Sequence, residues 1–308
     1  AQIISDLEFA LDEKLPDTYG SDASVNKARA TRGAAHALLA KVYAQKPDRD
    51  YAKVLEYTDA VINSPAGYRL LTDYRNLFDG NTYNNAESIM EVQFIGGPEA
   101  NFGPQLLLPP SVSGDTWRKF MTPSKNLINA FDQAGDVIRK EASILFESAP
   151  WADEFWSLQV NGVIPFAYKW KDANGWASTN RQYIFRLGDI ILLKAEALNA
   201  LGRTAEALEA LNSIRRRVNL PEVSTTNSEE LGLLIENERR LELAQEAQRW
   251  NDLKRSGRAV EVMNNLVEID LRTNQPKNFN MTQDKLLLPI PQQEINRNPL
   301  LTQNPGYN

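Results

Sequence analysis

The sequence predicts a mainly α-helical protein, built from tetratricopeptide-like helical hairpins with long irregular loops and a few short strands. Three observations predict it. Small residues crowd a helical stretch from Ala28 to Gln45, a second helix-turn-helix runs from Leu187 to Leu220, and a Glu/Arg-rich helical stretch follows at Leu234–Leu243. Between the hairpins, Gly, Pro and Asn interrupt every apolar period, so that region reads as loops. With 308 residues, 42% hydrophobic and 24% charged, the chain can bury one extensive core.

The elements follow in order. Ile3, Ile4, Leu7 and Leu11 mark one helical face that Pro16 closes, and a polar loop reaches to about Asn26. From Ala28 to Gln45, Gly33, Ala34, Ala35, Ala37 and Ala40 let a second helix approach closely. That partner is Tyr51 to Asn63, stopped by Ser64-Pro65-Ala66-Gly67, giving a hairpin over about 26–64. The second hairpin, 187–220, has Ile190–Leu198, a turn at Gly202 and a helix from Ala205 to Arg217. Ala52 and Ala207 are the small residues expected at the two crossings. The unit resembles a tetratricopeptide repeat of about 34 residues, and one such unit cannot bury its apolar face alone.

A loop-rich region, about 73–180, is the expected ligand face, with short strands at Ser88–Phe94 and Phe166–Trp170. Loops on a rigid helical base are where binding functions concentrate. The region 228–308 holds the Glu/Arg helix, a helix from Arg249 to Arg255 ended by Gly257, and a shorter helix to about Val267. Its Pro-rich tail, Leu286 to Tyr307, is apolar enough to lie in a groove. All of this reads as one domain, 1–308.

The chemistry for an enzyme is sparse. A net charge of −6 argues against nucleic acid, and no apolar run is long enough to span a bilayer. The absence of Cys excludes disulfides, thiolate nucleophiles and Cys-based zinc sites together. The one His, His36, sits among Ala residues as a packed side chain. Nucleophile-elbow, zinc-helix, phosphate-loop and dinucleotide patterns are all missing. Glu238, Glu242 and Glu246 alternate with Arg239, Arg240 and Arg249, beside Leu, Ile and Trp250 expected to be buried. Cations at that spacing lower carboxylate pKa values and suit an ion-pair network better than a general acid. Asp79-Gly80-Asn81 with Asn85 and Glu87 has loosely calcium-like spacing without the full loop pattern, and reads as a solvated turn. No catalysis, cofactor or metal is expected.

Sugar recognition suits the residues better. Pyranose rings present apolar faces edged by hydroxyls, which aromatic planes and short polar side chains complement. The candidate planes are Tyr83, Phe102, Trp117, Trp151, Trp156 and Trp176, and the candidate polar partners Asn81, Asn84, Asn101, Asp115 and Arg118. Trp117 leads, because Gly114-Asp115-Thr116 sets it on a turn beside Asp115 and Arg118. Any single Trp is better explained by core or loop packing, but several in irregular segments together point to a ligand face. The rival reading is a helical-hairpin scaffold for a protein or peptide partner, with no use for these rings.

Several motifs, in order, resemble the SusD/RagB family of surface nutrient-binding lipoproteins. They are Arg29-Ala30-Thr31-Arg32 running into Leu38–Tyr43, Tyr74–Phe78 with Glu87–Val92, and Phe185–Ile190 with Lys194–Asn199 and Leu211–Arg215. The Glu/Arg helix through Arg249-Trp250 follows, then Leu288-Pro289-Ile290-Pro291 and Glu294–Tyr307. Ala247-Gln248 and Asn251 depart from the pattern at packing positions. The resemblance implies capture of an oligosaccharide and delivery to a SusC-like TonB-dependent transporter. It also implies lipid anchoring at the extracellular face of an outer membrane. Ala1 opens directly on a helical pattern, so the chain is expected to start inside a longer protein whose N-terminal third bears the anchor.

Overall fold

The computed structural model describes residues 1–172 and 174–307, so the expected loop face and C-terminal region are covered except for Ala173 and Asn308. Its base is helical. α1 (Gln2–Asp12) and the short α2 (Ala23–Ala28) lead into α3 (Arg32–Gln45) and α4 (Tyr51–Ile62). Asp22 accepts from the Ser24 N–H to cap α2, and Thr31 accepts from the Ala34 N–H to cap α3. The Thr31 cap starts at Arg32 the helix expected from Ala28, because Ala28 belongs to the end of α2.

α3 presses its small residues inward. A Cβ on Gly33 would lie 2.3 Å from the Tyr68 hydroxyl oxygen, so a larger residue would have to displace that ring. α4 answers with Val54, Tyr57 and Val61, and the Tyr43 and Tyr57 rings stack at 5.7 Å. Ala52, expected at the crossing, is exposed, because α4 begins at Tyr51 and its second residue faces solvent.

The middle of the chain is irregular. β1 (Ser88–Val92) precedes α5 (Gly103–Leu107), α6 (Pro110–Ser113), α7 (Lys125–Ala134) and α8 (Val137–Ser143). β2 (Ile144–Ser148) pairs antiparallel with β3 (Val163–Ala167), placing Phe146 opposite Pro165. The strand expected at Phe166–Trp170 thus starts earlier, because its register is set by a partner invisible in local periodicity. β4 (Gln182–Arg186) pairs antiparallel with β1 and runs straight into the second hairpin, α9 (Leu187–Ala200) and α10 (Thr204–Arg217).

α9 is the central helix, packed by α4, α10 and α11 (Ser228–Glu242), with Leu192, Ala195, Leu198, Ala207 and Ile235 in the largest apolar cluster. α12 (Arg249–Ser256) ends at Gly257 with φ of 75°, the left-handed cap glycine favours, and α13 (Ala259–Asn264) follows. The tail contributes β5 (Ile269–Asp270), β6 (Gln275–Pro276) and α14 (Gln292–Arg297). It does not lie in a groove as expected: Leu288 is 83% exposed. The tail folds on itself, with Gln303 bonded to both backbone groups of Ile290 and Asn304 donating to the Leu288 carbonyl.

A buried ion network ties these parts together. Glu87, Asp136, Glu238, Glu242 and Glu246 face Arg139, Arg186, Arg215, Arg217 and Lys169, five carboxylates to five cations. Glu242, fully buried, accepts from Arg186 at 2.7 Å, Arg139 at 3.1 Å and Arg217. Burial alone would raise its pKa, but the three guanidiniums hold it well below the usual carboxylate range. Gly188 makes room, since a Cβ there would stand 2.5 Å from Arg186 Nη1 and 2.9 Å from Glu242 Oε1. A second cluster joins Arg239 to Asp189 at 2.7 Å and to Asp252 at 3.0 Å. Trp250, expected to be buried beside this helix, is 38% exposed and lies under the Lys254 ammonium; the charges, not the indole, fill the interior.

Candidate functional site

The loop face brings four aromatic rings into one exposed platform. Trp117 and Trp176 stack nearly parallel, 7° apart in plane and 6.4 Å between centres. Phe102 packs on Trp176 at 5.9 Å, and Phe120 meets Trp117 edge-on at 5.8 Å. Trp176 is 53% exposed and Phe120 78%, so these rings offer apolar surface to solvent. Patches of that kind mark binding surfaces.

The platform is held from beneath. Lys119 is buried, with its ammonium 4.6 Å from the Trp117 ring centre. It donates to the Gln105 carbonyl at 3.1 Å, to Ser113 Oγ at 2.9 Å and to Asp115. Asp115, expected to serve sugar hydroxyls, is therefore spent on Lys119 and Gln105. Burial raises its pKa, but the bonds from those two side chains outweigh that and hold it low.

Asn101 is also turned inward. Its Nδ2 donates to the Asn180 carbonyl and its Oδ1 accepts from the Gly103 N–H, both at 2.9 Å. Its backbone N–H bonds the Ser178 carbonyl at 2.9 Å. Buried, with its side-chain amide bonded at both ends inside the protein, it pins the loop bearing Phe102 to the loop bearing Trp176.

The other expected residues lie outside the platform. Arg118 donates to Glu154 at 2.8 Å and to the Ala152 carbonyl, with its guanidinium 5.4 Å from the Trp151 ring centre. Trp151 packs edge-on against Phe166 at 6.0 Å, over the β2–β3 pair. Trp156 leans on Phe146 at 5.7 Å and lines a separate cavity. Tyr83 lies under the Arg181 guanidinium at 5.0 Å, and burial pushes its hydroxyl up to about 12. Asn81 and Thr82 donate their N–H groups to Asp79, both at 2.7 Å, so the calcium-like turn closes on itself. Asn84 accepts from Gln93 at 3.1 Å and from Arg181. His36 stacks on Tyr57 at 5.9 Å, and burial lowers its pKa.

Phe120 and Lys119 were not singled out in the sequence. The only available signal was an aromatic three positions after Trp117 in a loop, which does not tell surface from core. Chemically, the platform can stack apolar ring faces, and the Asp115 carboxylate beneath it is taken up by Lys119 and Gln105. The carboxylates of the buried network are locked by arginines.

The family model described as "SusD family" matches residues 155–307. A SusD-like protein of Formosa agariphila is 31% identical over 99% of this chain, which spans 64% of that relative's length. The crystal structure of a SusD-like protein from Bacteroides fragilis superposes with a TM-score of 0.77 at 26% identity, covering 99% of this chain and 70% of that one. A solved structure named as a laminarin-binding SusD-like protein gives 0.75 at 28% identity, covering 99% and 68%. By sequence and by fold, the chain belongs to the SusD family.

Proposed function

We propose that the chain binds an oligosaccharide on the Trp117–Trp176 platform without altering it, and passes it to a SusC-like TonB-dependent transporter in the outer membrane. The observation that carries this reading is the exposed ring platform, fixed by Lys119 and Asn101 before any ligand arrives. A preorganised site spares the ligand the cost of ordering loops. Family membership and a relative named for binding laminarin support the ligand class. The helical hairpins would form the base against the transporter, with the protein held at the outer face of the outer membrane by a lipid anchor. No helix among the described residues is long and apolar enough to cross a membrane.

Isothermal titration across a glycan panel that includes laminarin oligosaccharides tests the proposal. We expect binding that Trp176→Ala weakens by about 1–3 kcal/mol, with little change in melting temperature. A panel in which nothing binds would sink it. Co-purification with a SusC-like transporter tests the hand-off.

One observation favours the rival peptide reading. A groove of about 520 Å³ runs beside α11, bordered by Tyr51, Leu233 and Arg258. Under that reading, ligand binding is indifferent to Trp117 and Trp176.

A further inference from the structure

Trp156 belongs to a cavity of about 200 Å³ that shares no ring with the platform. Phe155, Trp156 and Phe279 supply aromatic walls, and Lys125, Lys277 and Glu268 supply charge. Glu268 is only 8% exposed, and its Oε1 is buried with no donor in reach. A buried carboxylate oxygen left without a donor is costly, and native proteins rarely carry one without a reason. The cavity's two ammonium groups face its rings instead: Lys277 Nζ is 4.9 Å from the centre of the Phe155 ring, and Lys125 Nζ is 5.5 Å from that of Trp156.

The cavity therefore offers an unmet acceptor and two ammonium groups inside an aromatic surround. Asp153 also borders it, so two acids balance two cations and an ion of either sign would meet its like. A neutral polyol fits this pattern, because each hydroxyl both donates and accepts while C–H groups meet ring edges. The volume lies below the roughly 300 Å³ at which clefts begin to hold drug-sized ligands, leaving room for a single ring. We infer that this cavity is a second ligand site, which takes one uncharged sugar ring and hydrogen-bonds it through Glu268.

The test is titration of the chain with methyl glycosides of gluco, galacto, manno and xylo configuration, followed by saturation-transfer NMR and calorimetry. At least one should bind in the millimolar range. Glu268→Gln should weaken that binding roughly fivefold or more by removing the charged acceptor, whereas Trp176→Ala should leave it unchanged. Free of ligand, Glu268→Gln should melt higher than the parent, because an unsatisfied charge has gone. The inference is overturned if no glycoside binds at roughly 50 mM, where millimolar sites are saturated. It is also overturned if binding follows Trp176 and ignores Glu268, or if Glu268→Gln melts lower. The glycan reading of the platform fails separately, when oligosaccharide binding is absent but single rings still bind.

Discussion

Replacing Glu242 with Ala is the most direct test of how this fold is held. Glu242 receives Arg139, Arg186 and Arg217, three guanidiniums that are themselves almost wholly buried. The network is balanced at five carboxylates and five cations, so the deletion leaves one uncompensated positive charge in the interior. Arg139 retains Asp136 and Glu238, Arg186 retains Glu87 and Glu246, and Arg217 retains Glu87, which limits the damage. Breaking a buried pair on one side costs about 3–5 kcal/mol. For a chain of this size that lowers the melting temperature by roughly 5–8 °C. Scanning calorimetry and urea denaturation read the loss, and glycan titration of the still-folded fraction reads the site. A shift under about 2 °C, or lost binding at an unchanged melting temperature, would refute the reasoning.

Gly188→Ala forces a methyl against Arg186 and Glu242, and is expected to cost about 1–3 kcal/mol by denaturation, despite alanine's better helix propensity. Asn101→Ala leaves the Asn180 carbonyl and Gly103 N–H without partners. A loss of about 1–3 kcal/mol should accompany weaker glycan binding, as calorimetry can check. Glu242, Glu246 and Asp252 all have folded pKa values below their ordinary ones. Their contribution is complete above the unfolded carboxylate range and is lost as pH falls through the folded values. Acid titration by circular dichroism should therefore show unfolding only well below about pH 4. Lys169 is also depressed, from 10.5 to about 8, but here burial disfavours the charged form. Between those values the unfolded chain binds more protons, so stability should rise with pH there relative to Lys169→Met.

Much of the base was legible, because its causes are local. Ala34, Ala37 and Ala40 announce a close helix crossing, and Glu238, Glu242 and Glu246 among arginines announce paired charge. What escaped depends on partners far away in sequence. Nothing beside Phe166 reveals that Ile144–Ser148 sets its strand register. Nothing beside Asn101 reveals that Asn180 and Ser178 use up its hydrogen-bonding groups. The same blindness separates the indoles. Trp117 and Trp176 stack in the exposed platform, whereas Trp151 and Trp156 pack on the Ala149, Ile164 and Phe166 cluster, though all four occupy Gly- and Pro-rich stretches of similar appearance.

The arginines meeting at Glu242 come from α8, β4 and α10, one stretch inside the loop face and two that follow it. Melting any one of them strands charge in the other two, so partial opening costs nearly as much as complete collapse. Native-state hydrogen exchange should accordingly find a single slow-exchanging unit spanning both hairpins, while the ring-bearing loops above it can be rebuilt without loosening what lies below.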